Sequence, residues 1–247
     1  MSDFLIAVPA RYGSSRLPGK ILKNLCGHPV IEHVYNACKK TGLGEVIIAT
    51  ESPVVVDACA RFGANAILTS DQCQSGTDRI YEAARNRSEQ FIINVQGDEP
   101  FIRPETILAV ANLLQTNPQC DIATAVTATT DDAKIDNPNC VKAVLAQNGR
   151  ALYFSRSRVP FKREITPRNK QVPYWHHCGI YGYRRAALER FVHLPPSPLE
   201  QLEKLEQLRA LEDGMHIFCT EIAPGGPAID TAEDLERAET YFKQHLL

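Results

Sequence analysis

Phe4-Leu5-Ile6-Ala7-Val8, followed without a break by Pro9-Ala10-Arg11-Tyr12-Gly13-Ser14-Ser15-Arg16-Leu17-Pro18-Gly19-Lys20, is the stretch that decides the fold. A short apolar run bounded by turn residues reads as a strand, and the loop then lies at its carboxyl end. Further apolar runs at Glu45 to Thr50, Ala66 to Thr69, Phe91 to Val95 and Ile122 to Thr127 read the same way. Amphipathic stretches at Val30 to Lys40, Val54 to Phe62 and Ile80 to Arg87 alternate with them, as does a helix opened by Pro104. This alternation predicts an α/β fold, a mainly parallel sheet flanked by crossover helices, with ligands at the carboxyl ends of the strands.

From about Asn139 the rhythm changes to strand-like pieces, Val141 to Leu145, Ala151 to Phe154 and His177 to Tyr183, with a charged loop from Lys162 to Pro173. An antiparallel insertion at about 139–183 is expected. Ser197-Pro198-Leu199-Glu200 has the form of a capping box and predicts one leucine-striped helix that Gly214 ends. A strand from Ile217 to Ile222 and a last helix from about Ala232 complete the pattern. At 247 residues and 44% hydrophobic content the chain reads as a single domain, 1–247, built around one core.

The 27 Lys and Arg nearly cancel the 29 Asp and Glu, which argues against a nucleic-acid stripe or a polybasic membrane anchor. Eight cysteines lie far apart with no Cys-x-x-Cys pair, which fits buried thiols in a reducing cytosol. Phe4 to Val8 is too short for a signal segment or a membrane span, so a mature cytoplasmic protein is expected.

Arg11, Arg16 and Lys20 stand among small residues at the sheet's carboxyl edge, where a polyphosphate is the natural guest. Glycines let backbone N–H groups approach phosphate oxygens, Arg grips them bidentately and Lys acts as a point charge. The loop is not a Walker loop: five residues separate Gly13 from Gly19, and Ile21 follows Lys20. The bland alternative is a solvated surface loop.

Asp98, in Asn94-Val95-Gln96-Gly97-Asp98-Glu99-Pro100, follows an apolar strand and would project into the same crevice. Beside a polyphosphate it suits Mg²⁺, which takes one or two carboxylates with waters and phosphate oxygens. Its alternative role is an ordinary turn-capping Asp. Asp230 could be a second metal carboxylate, although Asp230 or Thr231 could equally cap the last helix.

The loop of residues 9–20, Gln74-Ser75-Gly76-Thr77-Asp78-Arg79, residues 94–100, Ala151-Leu152-Tyr153-Phe154-Ser155-Arg156, residues 177–183 and Leu205-Glu206-Gln207-Leu208-Arg209 together resemble the CMP-Kdo synthetase family. Kdo is the acidic sugar 3-deoxy-manno-octulosonate. The resemblance covers nearly the whole chain in six ordered blocks. It implies a nucleotide-diphospho-sugar-transferase fold, a homodimer formed through the antiparallel element, and activation of Kdo by CTP for lipopolysaccharide biosynthesis. It also implies that Arg11, Arg16 and Lys20 hold the triphosphate, with Pro9 and Ala10 beside it. Gln74, Ser75, Gly76 and Thr77 would line the cytosine, and Asp98 with Asp230 would bind magnesium. Gln96, Arg156, His177, Tyr181, Glu206 and Gln207 would surround Kdo, and Lys20, Arg16, Asp98 and Asp230 would carry catalysis.

Each sugar contact has a plainer alternative: Arg156 supporting Tyr153 or pairing with a nearby acid, Tyr181 as core, and Glu206 with Arg209 as a helix-surface pair. His176-His177 suggests zinc, but adjacent strand residues face opposite sides, so His177 is the one expected in the pocket. Family members often carry Arg where this chain has His176 and His where it has Cys73. The nearest rivals are activation of 8-amino-Kdo or sialic acid, and, from another class, a catalytically silent nucleotide-binding scaffold.

Overall fold

In the computed structural model, residues 2–14, 16–164, 166 and 172–245 are described. They form two compact units, one of residues 1–108 with 224–247 and one of residues 109–223.

The first unit is a parallel sheet of four strands in the order β6-β1-β4-β5: β1 (Phe4–Pro9), β4 (Glu45–Thr50), β5 (Asn65–Leu68) and β6 (Phe91–Asn94). Leu5, Ile6, Ala7 and Val8 are fully buried, which is why β1 shows no polar alternation: a central parallel strand is covered on both faces. The helices α1 (Val30–Lys40), α2 (Pro53–Arg61) and α3 (Gly76–Ala84) pack on these strands. A short hairpin, β2 (Asn24–Leu25) and β3 (His28–Pro29), lies between the first loop and α1 and was not expected. α3 starts four residues before the expected Ile80, because Ser75 caps it. The Ser75 hydroxyl accepts from Asp78 N–H at 3.1 Å while the Asp78 carboxylate accepts from Ser75 N–H at 3.0 Å.

In the second unit the strand order is β11-β7-β10-β8-β9. β7 (Ile122–Thr129) pairs in parallel with β11 (Ile217–Glu221) and antiparallel with β10 (Tyr174–Arg184). β8 (Lys142–Leu145) runs antiparallel to both β10 and β9 (Ala151–Ser155), so the pieces expected between about 139 and 183 do form antiparallel ladders. The helix opened by Pro104 is α4 (Pro104–Thr116). α5 (Asp132–Asp136) and α6 (Arg185–His193) were not expected, although Ala187, Leu188 and Phe191 give α6 a buried face at helical spacing. Of the loop from Lys162 to Pro173, residues 165 and 167–171 lie outside the described residues.

The single helix expected after Ser197 is two. α7 (Pro198–Glu203) begins at the predicted capping box and ends at Lys204, whose φ of 53° is left-handed, and α8 (Gln207–Glu212) follows. A lysine in that conformation cannot continue a right-handed helix. The last helix, α9 (Ala232–His245), belongs to the first unit.

Candidate active site

The loop after β1 is tied at several points. Ala10 N–H donates to Ala49 C=O at 2.8 Å, Tyr12 N–H to the Glu51 carboxylate at 2.9 Å, and Gly19 N–H to Tyr12 C=O at 3.2 Å. Gly19 has φ of 64°, and a Cβ there would stand 3.3 Å from the Tyr12 ring, so glycine suits the turn that delivers Lys20. Glu51 is in turn paired with the buried guanidinium of Arg79 at 3.2 Å, and Arg79 also donates to the Thr69 hydroxyl at 2.6 Å. Arg79 thereby fastens the loop to α3. Its role was not read from the sequence, yet an arginine one position before the fully buried Ile80 on a capped helix was a usable signal.

The carboxyl ends of the strands open onto a cleft of about 310 Å³ lined by Pro9, Arg11, Arg16, Lys20, Gln74, Ser75, Gly76, Gln96 and Asp98, all expected site residues. Gly13, Ser14, Ile21, Cys73, Arg79 and Gly97 line it as well. Ala10 and Thr77 are buried and do not line it, so they act as backing. Gly97 is there for space: a Cβ on it would fall 2.7 Å from Pro9 C=O.

Lys20 Nζ donates to the carboxylates of both Asp98 and Asp230, at 2.8 Å in the second case. Arg16 adds an ion pair to Asp230 at 3.1 Å. Burial by itself would lower the Lys20 pKa, but the two carboxylates outweigh it and the net direction is up. Two acids more than 100 residues apart in sequence therefore face one cation at the edge of the polyphosphate loop.

Local structure explains this convergence. Leu25, Val30, Phe101, Ile229 and Ala238 form one buried cluster, with Leu17, Tyr241 and Phe242 packed against it. That cluster anchors the loop through Leu17, the Asp98 segment through Phe101 and the Asp230 segment through Ile229. Ile229 N–H also donates to Asp98 C=O at 3.0 Å.

The capping alternative for Asp230 is resolved by its neighbours. Thr231 Oγ1 accepts from Asp234 N–H at 3.2 Å, and the Asp234 carboxylate accepts from Asp230 and Thr231 N–H at 3.0 and 2.9 Å. Thr231 and Asp234 cap α9 between them, which leaves the Asp230 carboxylate for the cation. Next to Asp98, burial first and the Asp98 charge second push the Glu99 carboxyl up to about 7. Among the described residues no three His, Cys, Asp or Glu side chains cluster as a metal cage.

The remaining expected residues lie in the second unit. Arg156 follows β9 and donates Nε–H to Glu203 C=O at 2.6 Å, with its terminal nitrogens donating to Pro138 and Lys204 C=O at 2.9 and 3.1 Å. Three of its five N–H groups are thus committed, and two remain. His177 and Tyr181, four residues apart on β10, pair with Val126 and Thr124, two apart on β7, so both stay on one face across the register shift between Cys178 and Tyr181, and their ring centroids are 5.4 Å apart. The Thr124 hydroxyl donates to Ile180 C=O at 2.7 Å, so at 2.9 Å it accepts from His177 Nε2–H. That assignment leaves Nδ1 of His177 as the acceptor. Burial, then His176, push the His177 pKa down to about 3, so the ring is neutral. Burial raises the Tyr181 hydroxyl well above its ordinary value. Gln207 is buried in α8 and Glu206 stands at its start. Arg209 pairs with Glu200 at 2.6 Å.

A family model described as Cytidylyltransferase matches residues 5–217. The chain is 59% identical to a 3-deoxy-manno-octulosonate cytidylyltransferase of Elusimicrobium minutum, over 99% of this chain and all of that one. It is 48% identical to the protein of the same name from Rhodopirellula baltica, over 93% and 94% of the two chains. The solved structure of a CMP:2-keto-3-deoxy-manno-octonic acid synthetase complexed with CTP superposes with a TM-score of 0.94 at 41% identity, over 99% of this chain and 100% of that one. A putative glucose-1-phosphate thymidylyltransferase from Bacillus anthracis, at 15% identity over 99% of this chain and 97% of that one, with a TM-score of 0.70, shares the fold. With its parallel sheet, its antiparallel ladders and these relatives along its whole length, the chain belongs to the 3-deoxy-manno-octulosonate cytidylyltransferase family.

Proposed function

We propose that this protein transfers the cytidylyl group of CTP to Kdo, giving CMP-Kdo and pyrophosphate for lipopolysaccharide assembly. The observation that carries the reading is the meeting of the Asp98 and Asp230 carboxylates on one cation, Lys20 Nζ, at the mouth of a loop bearing Arg11 and Arg16. The names of whole-length relatives support CTP and Kdo as the substrates.

In the reaction, the anomeric 2-hydroxyl oxygen of Kdo forms a bond to the α-phosphorus, the bond between that phosphorus and the α–β bridging oxygen breaks, and the hydroxyl proton is released. Arg11, Arg16 and Lys20 take the charge of the triphosphate and then of the leaving pyrophosphate. Lys20, with its pKa raised, keeps its proton and acts as a cation, not as a base. Gln74, Ser75 and Gly76 offer the cytosine a surface held rigid by the Ser75–Asp78 cap. Positioning of this kind supplies much of the rate in transfers that need no covalent intermediate.

The residues fit magnesium. Two carboxylates already share a cation, and Mg²⁺ needs no larger protein cage when phosphate oxygens and waters complete its shell. Held by Asp98 and Asp230, the ion would neutralise charge at the α-phosphate and acidify the attacking hydroxyl. For the sugar, Gln96, Arg156, His177, Tyr181, Glu206 and Gln207 are the proposed contacts. The remaining N–H groups of Arg156 suit the carboxylate, and Nδ1 of His177 suits a hydroxyl.

Among the described residues no helix is long and apolar enough to cross a membrane, and all eight cysteines are free thiols, which supports a cytoplasmic setting. A homodimer through the antiparallel element is supported by the exposed Phe161 (82%) and Val172 beside it, and light scattering at the purified concentration tests it.

Pyrophosphate release with CTP and Mg²⁺ is the test of substrate. Kdo should support turnover at least about 10-fold above 8-amino-Kdo and sialic acid, in line with the discrimination available to buried polar contacts. Equal or greater release with either rival would replace the substrate, and no release with any of the three would favour a silent scaffold.

A further inference from the structure

Lys142, on β8, is 1% exposed, and its ammonium has no carboxylate bonded to it among the described residues. Instead Nζ donates to three backbone carbonyls, those of Asn137 at 3.0 Å, Cys140 at 2.6 Å and Arg156 at 2.6 Å. Burial pushes its pKa down. Burying an ammonium bonded only to main-chain carbonyls, with the Asp136 and Glu203 charges acting on it without a direct bond, is a costly way to hold a turn, since an apolar residue would fill the space without desolvating a charge. What the arrangement does accomplish is to fix the carbonyl of Arg156.

Glu203, the last residue of α7, grips the same residue from the other side. Its carboxylate accepts from Arg156 N–H at 2.9 Å and from the Ser155 hydroxyl at 2.6 Å, and its carbonyl accepts from Arg156 Nε–H. The backbone of Arg156 is therefore held at both its N–H and its C=O, and its guanidinium is steered by Glu203, Lys204 and Pro138. The left-handed turn at Lys204 then leads within three residues to Glu206 and Gln207. One clamp thus sets the spacing between a side chain after β9 and two at the start of α8.

We infer that Lys142 and Glu203 are positioning residues for the acidic-sugar substrate, acting through Arg156 and fixing it relative to Glu206 and Gln207. The inference rests on the proposed role of Arg156 as a contact to the sugar carboxylate. Neither positioning residue is placed against the reacting atoms. Their effect should fall on sugar KM and not on CTP KM, because the CTP cleft is lined entirely by residues of the first unit.

Steady-state kinetics with full-length Lys142→Met, Glu203→Ala, Glu203→Gln and Arg156→Ala proteins tests this, with the midpoint of urea unfolding recorded for each. Misplacing Arg156 should raise Kdo KM about 10-fold or more in Lys142→Met and Glu203→Ala while CTP KM stays within about 2-fold. Glu203→Gln should recover most of that loss, since its amide oxygen can accept from Arg156 N–H while its NH₂ donates to Ser155 Oγ. If Lys142→Met fails to fold, the Glu203 pair decides alone. If Arg156→Ala raises Kdo KM but the Glu203→Ala protein keeps the wild-type value, or shifts both KM values together, the positioning role is wrong. Should Arg156→Ala itself leave Kdo KM unchanged, the assignment of Arg156 fails and the inference falls with it.

Discussion

The main-chain carbonyl of Asp98 accepts the amide hydrogen of Ile229 at 3.0 Å, which places the residue before Asp230 in direct contact with the first acid of the pair. Ile229 is fully buried, so this bond is shielded from water and fixes the two acidic segments against each other. Asp98→Asn and Asp230→Asn should therefore each reduce pyrophosphate release about 1000-fold or more, as expected when charge stabilisation at a transferring phosphoryl group is removed. Thermal midpoints should stay within a few degrees of wild type. The double variant should be little worse than either single one, because the two act as a unit.

Lys20 fills the space between those acids and carries their counter-charge. Replacing it by Met should lower turnover by a similar factor, since the cation beside the leaving pyrophosphate is lost. The same change removes an ammonium that competes for both carboxylates. Mn²⁺ binding without nucleotide, followed by electron paramagnetic resonance, should tighten in Lys20→Met, whereas a purely structural lysine would leave it weaker or unchanged.

Asp234 holds the Asp230 and Thr231 amides while capping α9. Asp234→Ala should cost about 1 kcal/mol of stability, the usual loss for a helix cap. It should also lower kcat by about 10-fold through the freed Asp230, more than a stability change of that size could cause in a still folded enzyme. Urea unfolding and kcat measured on the same sample separate the two effects.

Much of this was legible in the sequence, for identifiable reasons. Buried parallel strands announce themselves as unbroken apolar runs, and β1, β4 and β6 lie where Phe4 to Val8, Glu45 to Thr50 and Phe91 to Val95 place them. α1 agrees at both ends, Val30 and Lys40. The split of α7 from α8 was hidden because Lys204 is an ordinary helix former, and only its left-handed backbone stops the helix. Asp230 could not be told from a helix cap until Thr231 and Asp234 were seen to do that work. The commitments of Arg156 and His177, to three carbonyls and to Thr124, depend on residues distant in the chain and leave no local signal.

His177 also gives a pH dependence. Its folded pKa is about 3 against an ordinary 6.5, so between those values the unfolded chain binds a proton that the folded chain does not. Stability from this residue is intact above about pH 6.5 and is lost as the pH falls toward 3, at up to about 1.4 kcal/mol per pH unit. The half-buried His176, lowered first by burial, adds a term of the same sign. His177→Gln should flatten the stability profile by up to about one proton between pH 6.5 and 4.5, read from urea midpoints of both proteins.

The sharing of one cation by two distant carboxylates is tested most directly by Mn²⁺ binding in the presence of CTP, measured for wild type, Asp98→Asn and Asp230→Asn. Each substitution should weaken Mn²⁺ affinity about 10-fold or more while CTP still binds. Wild-type Mn²⁺ affinity in either variant would contradict it.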